Sequence, residues 1–188
     1  DFSLHNYNQF TLGHRGGWYA YEGDVSMTDG SWHHLTVTWD SSTGESLVYI
    51  DAVETASNTV NAGTSLAIDG ALVLGQDQDS KGGSFEDYQA VLGYMTRVRM
   101  YDTVLTESEV EARSRGEDID ESHLVADWNF SEGSGTVLGD ATGSGWDMEI
   151  TGATWNSECP DALNRVEALH CVIDGESTDI DADAITYG

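Results

Sequence analysis

Between Leu74 and Gln89 the chain reads Leu-Gly-Gln-Asp-Gln-Asp-Ser-Lys-Gly-Gly-Ser-Phe-Glu-Asp-Tyr-Gln, a run rich in side-chain oxygen. Asp77, Asp79 and Glu86 supply carboxylates and Gln89 an amide, while Gly82 and Gly83 allow a tight fold-back. Calcium takes roughly six to eight oxygens at about 2.3–2.6 Å, from carboxylates, carbonyls and amides. Converging carboxylates without cations beside them repel one another and need a counter-ion. The chemistry on offer here is metal binding.

Other groups able to do chemistry are less well companioned. Asp179, Asp181 and Asp183 alternate and would line one face of a strand, but no glycine or downstream Glu completes an EF-hand loop. The run Glu117-Asp118-Ile119-Asp120-Glu121 has carboxylates but no apolar residues to fix a strand face. A retaining glycosidase needs two carboxyls about 5–5.5 Å apart in a cleft. His33 and His34 are adjacent, so on a strand they point to opposite faces and cannot bind one ion from one side. His123 and His170 have no evident acidic or nucleophilic companions, and no nucleophile elbow or phosphate-cradling glycine loop is present. The chain reads as non-enzymatic. Asn129-Phe130-Ser131 is a glycosylation sequon on a stretch where Asn129 alternates away from Trp128 and Phe130. Cys159 and Cys171 lie twelve positions apart. They would close a short loop as a disulfide in an oxidising compartment, or remain as two thiols; without a CxxC they do not suggest zinc.

The elements that must position these groups are mostly strands. Leu35, Val37 and Trp39 alternate with Thr36 and Thr38, and the turn-rich Ser41–Glu45 leads into a return strand from Ser46 to Asp51. A long strand is expected over Val91–Tyr101, with shorter ones at Phe10–Leu12 and Trp18–Tyr21. One helix is expected from Glu107 to about Arg113, opened by the capping box Thr106/Glu109 and by Leu105 stapled to Val110. The acidic stretch 116–122 fits a linker; His123–Phe130 then starts a second set of strands, and a glycine-crowded region leads to Met148–Ile150 and Ala153–Trp155. From Val172 onward the chain is an edge strand or an acidic tail.

Composition narrows the class. Against 34 Asp and Glu stand only 7 Lys and Arg, a net charge of −27. Nucleic acid and anionic membrane surfaces, which require clustered cations, are excluded as partners. With 39% hydrophobic and 10% aromatic residues the chain can build a core. No stretch approaches the ~18 apolar residues of a membrane helix. Opening at Asp1 without a charged-then-apolar leader, the sequence reads as processed or as an excerpt of something longer.

Two stretches carry a family resemblance. Leu74–Gln89, with Gly93, Val98, Met100-Tyr101-Asp102 and Val104-Leu105 after it, closely resembles the pentraxin calcium loop and the strand and helix that follow. Asp29-Gly30-Ser31-Trp32-His33-His34-Leu35 with Trp39 is similar to the W-x-H strand shared by pentraxin and laminin G-like domains. The resemblance covers residues 8–113. It implies an all-β, antiparallel jelly-roll β-sandwich of the concanavalin A-like type with one short helix. It also implies two calcium ions, bridged by Asp77 and Asp79, with Glu86 and Gln89 on the outer ion and Gln78 contributing its backbone carbonyl. Asn8 matches a further ligand, but Tyr7 stands where the family has an acidic one. Leu124–Trp155 resembles the first strands of another laminin G-like domain. The order is inverted, back half first. The expected division is residues 1–115 as a domain lacking its opening strands, 116–122 as linker, and 123–188 as the opening of a second unit or the permuted completion of the first.

The expected function is an extracellular, calcium-stabilised structural or adhesive module, a repeat within a longer protein or filament. Its partners would be neighbouring jelly-roll domains or identical subunits. The alternative is a calcium-dependent lectin for glycans or phosphorylated ligands.

Overall fold

The computed structural model describes residues 2–5, 11–14, 17–21, 27–66, 70–156 and 171–173, with the backbone alone for 2–5, 11–14, 17–20 and 171–173. The fold is an all-β, antiparallel jelly-roll sandwich. Strands β1 (Phe2–His5), β2 (Thr11–His14) and β3 (Gly17–Ala20) form one meander, and β4 (Leu35–Trp39), β5 (Glu45–Ile50) and β6 (Val53–Thr59) a second. Strands β7 (Gly93–Met95) and β8 (Val98–Tyr101) precede helix α1 (Glu107–Ser114). Then come β9 (Leu124–Trp128), β10 (Val137–Leu138), β11 (Met148–Glu149) and β12 (Cys171–Ile173).

The β4–β5 hairpin forms where alternation and turn residues predict it. Asp40 Oδ1 accepts from the Ser42 amide and hydroxyl at 2.8 and 2.7 Å, fixing the turn. Gly44 closes it at φ 79°, where an added Cβ would stand 2.9 Å from Val60 O, so only glycine fits. The next turn, Asp51-Ala52, has positive φ at both residues (51° and 67°), the geometry of a two-residue hairpin but without the usual glycine.

Strand β5 organises two cores by its period of two. Val48 enters a cluster with Tyr21, Met27, Ala56 and Val60, while Tyr49 turns the other way to meet Leu105 and Val110. The expected capping box on Thr106 and Glu109 forms, and both ends of the expected staple, Leu105 and Val110, are buried in this second cluster. A third cluster gathers Val98, Ala126, Trp128, Leu138 and Met148, and Met95 packs against both it and the first.

Val91–Tyr101 is two short strands instead of the single long one expected. They part at Thr96-Arg97 because they take different partners: β7 pairs with β12 (Tyr94 opposite Val172), and β8 with β9 (Val98 opposite Trp128). Ala153–Trp155 is not a strand; the Trp155 indole donates to Gly135 O at 2.8 Å and its ring meets Phe130 edge-on. Within 116–122, Ile119 packs on the Tyr49 cluster and Arg113 holds both Glu117 O and the Glu121 carboxylate.

Candidate metal loop

The loop is entered from Leu74, which packs on the Trp128 cluster, and left through Val91, whose amide donates to Gly75 O at 2.7 Å. Between these anchors two glutamines hold the backbone. Gln76, 9% exposed, donates from Nε2 to Glu86 O at 3.2 Å and accepts from the Asp77 amide at 2.8 Å. Gln78 donates to Ala71 O at 3.0 Å and accepts from the Gly82 amide at 2.8 Å. A small bridge between Ser80 and Gly83 makes the fold-back that the glycines allow, with Gly82 at φ 61°. A single 3₁₀ turn, Asp87–Gln89, then brings the end of the loop back against its start.

That return places Gln89 Nε2 3.3 Å from Asp77 Oδ2. The other end of the amide, Gln89 Oε1, is buried with no hydrogen-bond partner. Buried carbonyl oxygens nearly always accept from something, and an amide oxygen is one of the ligand types that calcium takes. This is the feature that fits the loop to calcium. Of the remaining expected ligands, Asp79 and Glu86 are exposed. Glu86 accepts from the Tyr88 hydroxyl, and that hydrogen bond, followed by the charges of Glu86, Asp79 and Asp77, raises the Tyr88 phenol above its ordinary pKa. Among the described residues no three His, Cys, Asp or Glu side chains stand together as a metal-holding group. Asp77 and Gln89 converge; Asp79 and Glu86 flank them. Gln76 went unrecognised in the sequence, although an amide directly before the first carboxylate was there to be read.

Other sequence candidates have structural employment. Glu117 is paired with Arg115 and Glu121 with Arg113, and Asp120 accepts from the Ser122 amide at 2.9 Å. His33 lies between two carboxylates, Nδ1 2.8 Å from Asp51 and Nε2 3.0 Å from Asp29, and His123 Nδ1 is 2.7 Å from Asp102. Asn129 is half-buried and its Oδ1 accepts from the Ser131 amide at 3.1 Å. Asn8, Cys159, His170 and Asp179, Asp181 and Asp183 lie outside the described residues, and of Cys171 only the backbone is described, opposite Met95.

Unexpected from sequence was a buried acid on β9. Asp127, 6% exposed, receives the Arg97 guanidinium at 3.0 and 2.5 Å, with Arg99 Nε 3.4 Å away. These contacts, like the β8–β9 ladder, tie residues near 98 to residues near 127.

A family model for the pentaxin family matches residues 8–138, loop, helix and β9 together. The chain belongs to the pentaxin family. As a pentaxin it is 34% identical over 173 residues to the rat "Sushi, von Willebrand factor type A, EGF and pentraxin domain-containing protein 1", covering 86% of this chain and 5% of that protein. It is 32% identical over 117 residues to C-reactive protein 1.1 of Limulus polyphemus, covering 58% of this chain and 48% of that protein. The chain thus spans a small part of the first relative and about half of the second. A solved structure described as a candidate carbohydrate-binding protein, from Bacteroides ovatus, superposes with a TM-score of 0.52 at 19% identity. It covers 73% of this chain and 38% of the other, and bears on the fold of this pentaxin alone.

Proposed function

We propose that this pentaxin chain is a calcium-dependent, lectin-like binding module acting outside the cell, and that its task is recognition, not catalysis. The observation that carries the reading is half-buried Gln89, whose Oε1 is buried without a hydrogen-bond partner while its Nε2 donates to Asp77. Asp77, Asp79, Glu86 and Gln89 would hold the metal through side-chain oxygens and Gln78 through its carbonyl, with Asn8 joining from outside the described residues. Calcium supplies a fixed positive charge with coordination positions left for a ligand's oxygens. Glycan-array binding of the recombinant chain, with calcium and after chelation, tests this. Binding lost on chelation and restored by calcium is the expected result. Binding indifferent to chelation would overturn it.

We propose further that residues 123–138 complete the sandwich of the first piece and do not open a second unit. The four-position β8–β9 register and the Arg97–Asp127 pair support this, as does a family match running unbroken from 8 to 138. A structural role as a repeat or adhesive unit is compatible with it, since an open strand edge invites pairing with a neighbour.

A further inference from the structure

The three apolar clusters leave a space where they meet. Val37 and Trp39 pack with the first, Tyr101 and Leu105 with the second, and Leu72 and Val98 with the third; all six line a cavity of about 440 Å³. Protein interiors hold few voids larger than a water molecule, whereas ligand sites run from roughly 300 to 1,000 Å³. At roughly 30 Å³ for each water-sized group, this cavity has room for about fifteen. Its wall also concentrates charge of one sign. The chain has 7 Lys and Arg against 34 Asp and Glu, yet Arg97, Arg99 and Arg113 all line this cavity, and among the described lining residues there is no Asp or Glu.

The guanidiniums are held in place. Arg97 and Arg99 meet on Asp127, which is not part of the wall, at 2.5 and 3.4 Å. Arg113, 3% exposed, donates to the Tyr101 hydroxyl at 3.1 Å and to Glu117 O at 3.2 Å. A guanidinium carries five N–H donors, more than a single carboxylate takes, and its planar fork matches a second carboxylate as well as the first. Cations gathered around one space repel one another, and an anion seated among them relieves that repulsion.

We propose that this cavity is a binding site, separate from the metal loop, for an aliphatic carboxylate of the fatty-acid type. The hydrocarbon chain fills the space among the clusters and the arginine wall holds the carboxylate. The apolar side chains select an acyl chain over a sugar, whose hydroxyls an apolar wall penalises. The charge selects an anion over a neutral lipid or a quaternary ammonium, which the guanidiniums repel. Nothing in the site calls for a metal.

The test titrates the full chain by calorimetry with dodecanoate, dodecan-1-ol, dodecyltrimethylammonium and butyrate, each below its micellar concentration, with and without chelator. Dodecanoate should bind, raise the melting temperature and be indifferent to chelation. Dodecan-1-ol should bind about tenfold more weakly, the order of a lost charge-assisted hydrogen bond, and the ammonium and butyrate should not bind. Thr103 lines the cavity and is exposed, so it stands at the mouth, and its variants should melt with wild type. Thr103→Asp brings an acid to the wall and should weaken dodecanoate about tenfold while leaving dodecan-1-ol unchanged. Thr103→Asn, of the same shape without the charge, should bind both like wild type. Absence of dodecanoate binding, an ammonium bound as tightly as the carboxylate, or binding that needs calcium would overturn the proposal. So would a Thr103→Asp that binds dodecanoate like wild type, or a Thr103→Asn that loses it, since either would detach the ligand's charge from this wall.

Discussion

Two acidic loops in this molecule spend their carboxylates in opposite ways. In the loop between Phe130 and Met148, Asp140 accepts from the amides of Asp127 (3.1 Å), Thr142 (3.0 Å) and Trp146 (3.4 Å) and from the Thr142 hydroxyl. Glu132 and Asp147 likewise take the amides of Gly139 and Asp140, each at 2.8 Å. Burial alone would raise the Asp140 pKa, yet the hydrogen bonds from Asp127, Thr142 and Trp146 hold it down at about 2. In the loop from Leu74 to Gln89 the backbone is held by neutral amides, Gln76 and Gln78, while Asp77 and Glu86 accept from the side chains of Gln89 and Tyr88. The lesson is that acidic content does not mark a metal site. What separates the two loops is whether the carboxylates themselves hold the backbone amides.

The sharpest way to break this contrast is at Asp140. Asp140→Ala leaves buried donors, the Asp127 amide among them, without their acceptor, and should cost about 3 kcal/mol in urea unfolding. Its response to calcium should match wild type. The folded-state pKa of Asp140 is depressed, so its contribution is full above the ordinary value of 3.8 and is lost as pH falls toward about 2. Acid titrations should therefore show wild type losing stability across that window and the variant losing less. An Asp140→Ala protein that no longer gains stability from calcium would mean that this loop, too, serves the ion.

The converse experiment falls on the other loop. With calcium at a hundredfold excess over its Kd, wild type should gain about 2.7 kcal/mol. Asp79→Asn with Glu86→Gln should abolish that gain while leaving the calcium-free melting temperature nearly unchanged, because both side chains are exposed and neither holds the loop backbone. A double variant that gains as much as wild type would place the ion elsewhere.

Much of the frame could be read from local pattern. The Leu35/Val37/Trp39 alternation, the Ser41–Glu45 turn and the Thr106–Glu109 capping box are short-range devices, and all three form as expected. What escaped was long-range. The break at Thr96-Arg97 exists because β7 and β8 find partners dozens of residues away, which no window of ten residues contains. Asp127 read as one side of an alternating strand, and nothing local said that Arg97 would meet it across a ladder. For the site, motif resemblance singled out the candidate ligands, but it could not tell that Glu86 would face Tyr88 or that Gln89 Oε1 would be buried without a hydrogen-bond partner. Those are properties of packing.

Asp29 and Asp51 are satisfied by a donor that titrates. His33 bridges them, and both ring nitrogens can donate only when the imidazole is charged. Burial pulls its pKa down, but the hydrogen bonds to Asp51 and Asp29, then their charges, outweigh it and raise the value above the ordinary 6.5. For a raised folded-state pKa the stabilisation is fully present below 6.5 and is lost as pH climbs through the folded value. Asp51 also accepts from the His34 amide at 2.9 Å and sits at φ 51° in the β5–β6 turn, so the bridge steadies a turn that lacks glycine. His33→Gln can still hydrogen bond but carries no charge. It should have the smallest effect of the three variants, since both carboxylates are exposed and water and salt screen the pairing. Its signature is direction: wild type should lose a little stability on going from pH 6 to pH 8.5, and His33→Gln should not share that loss. An NMR titration placing the His33 pKa at or below 6.5 would show that these carboxylates belong with neither loop, and that the bridge forms without the proton.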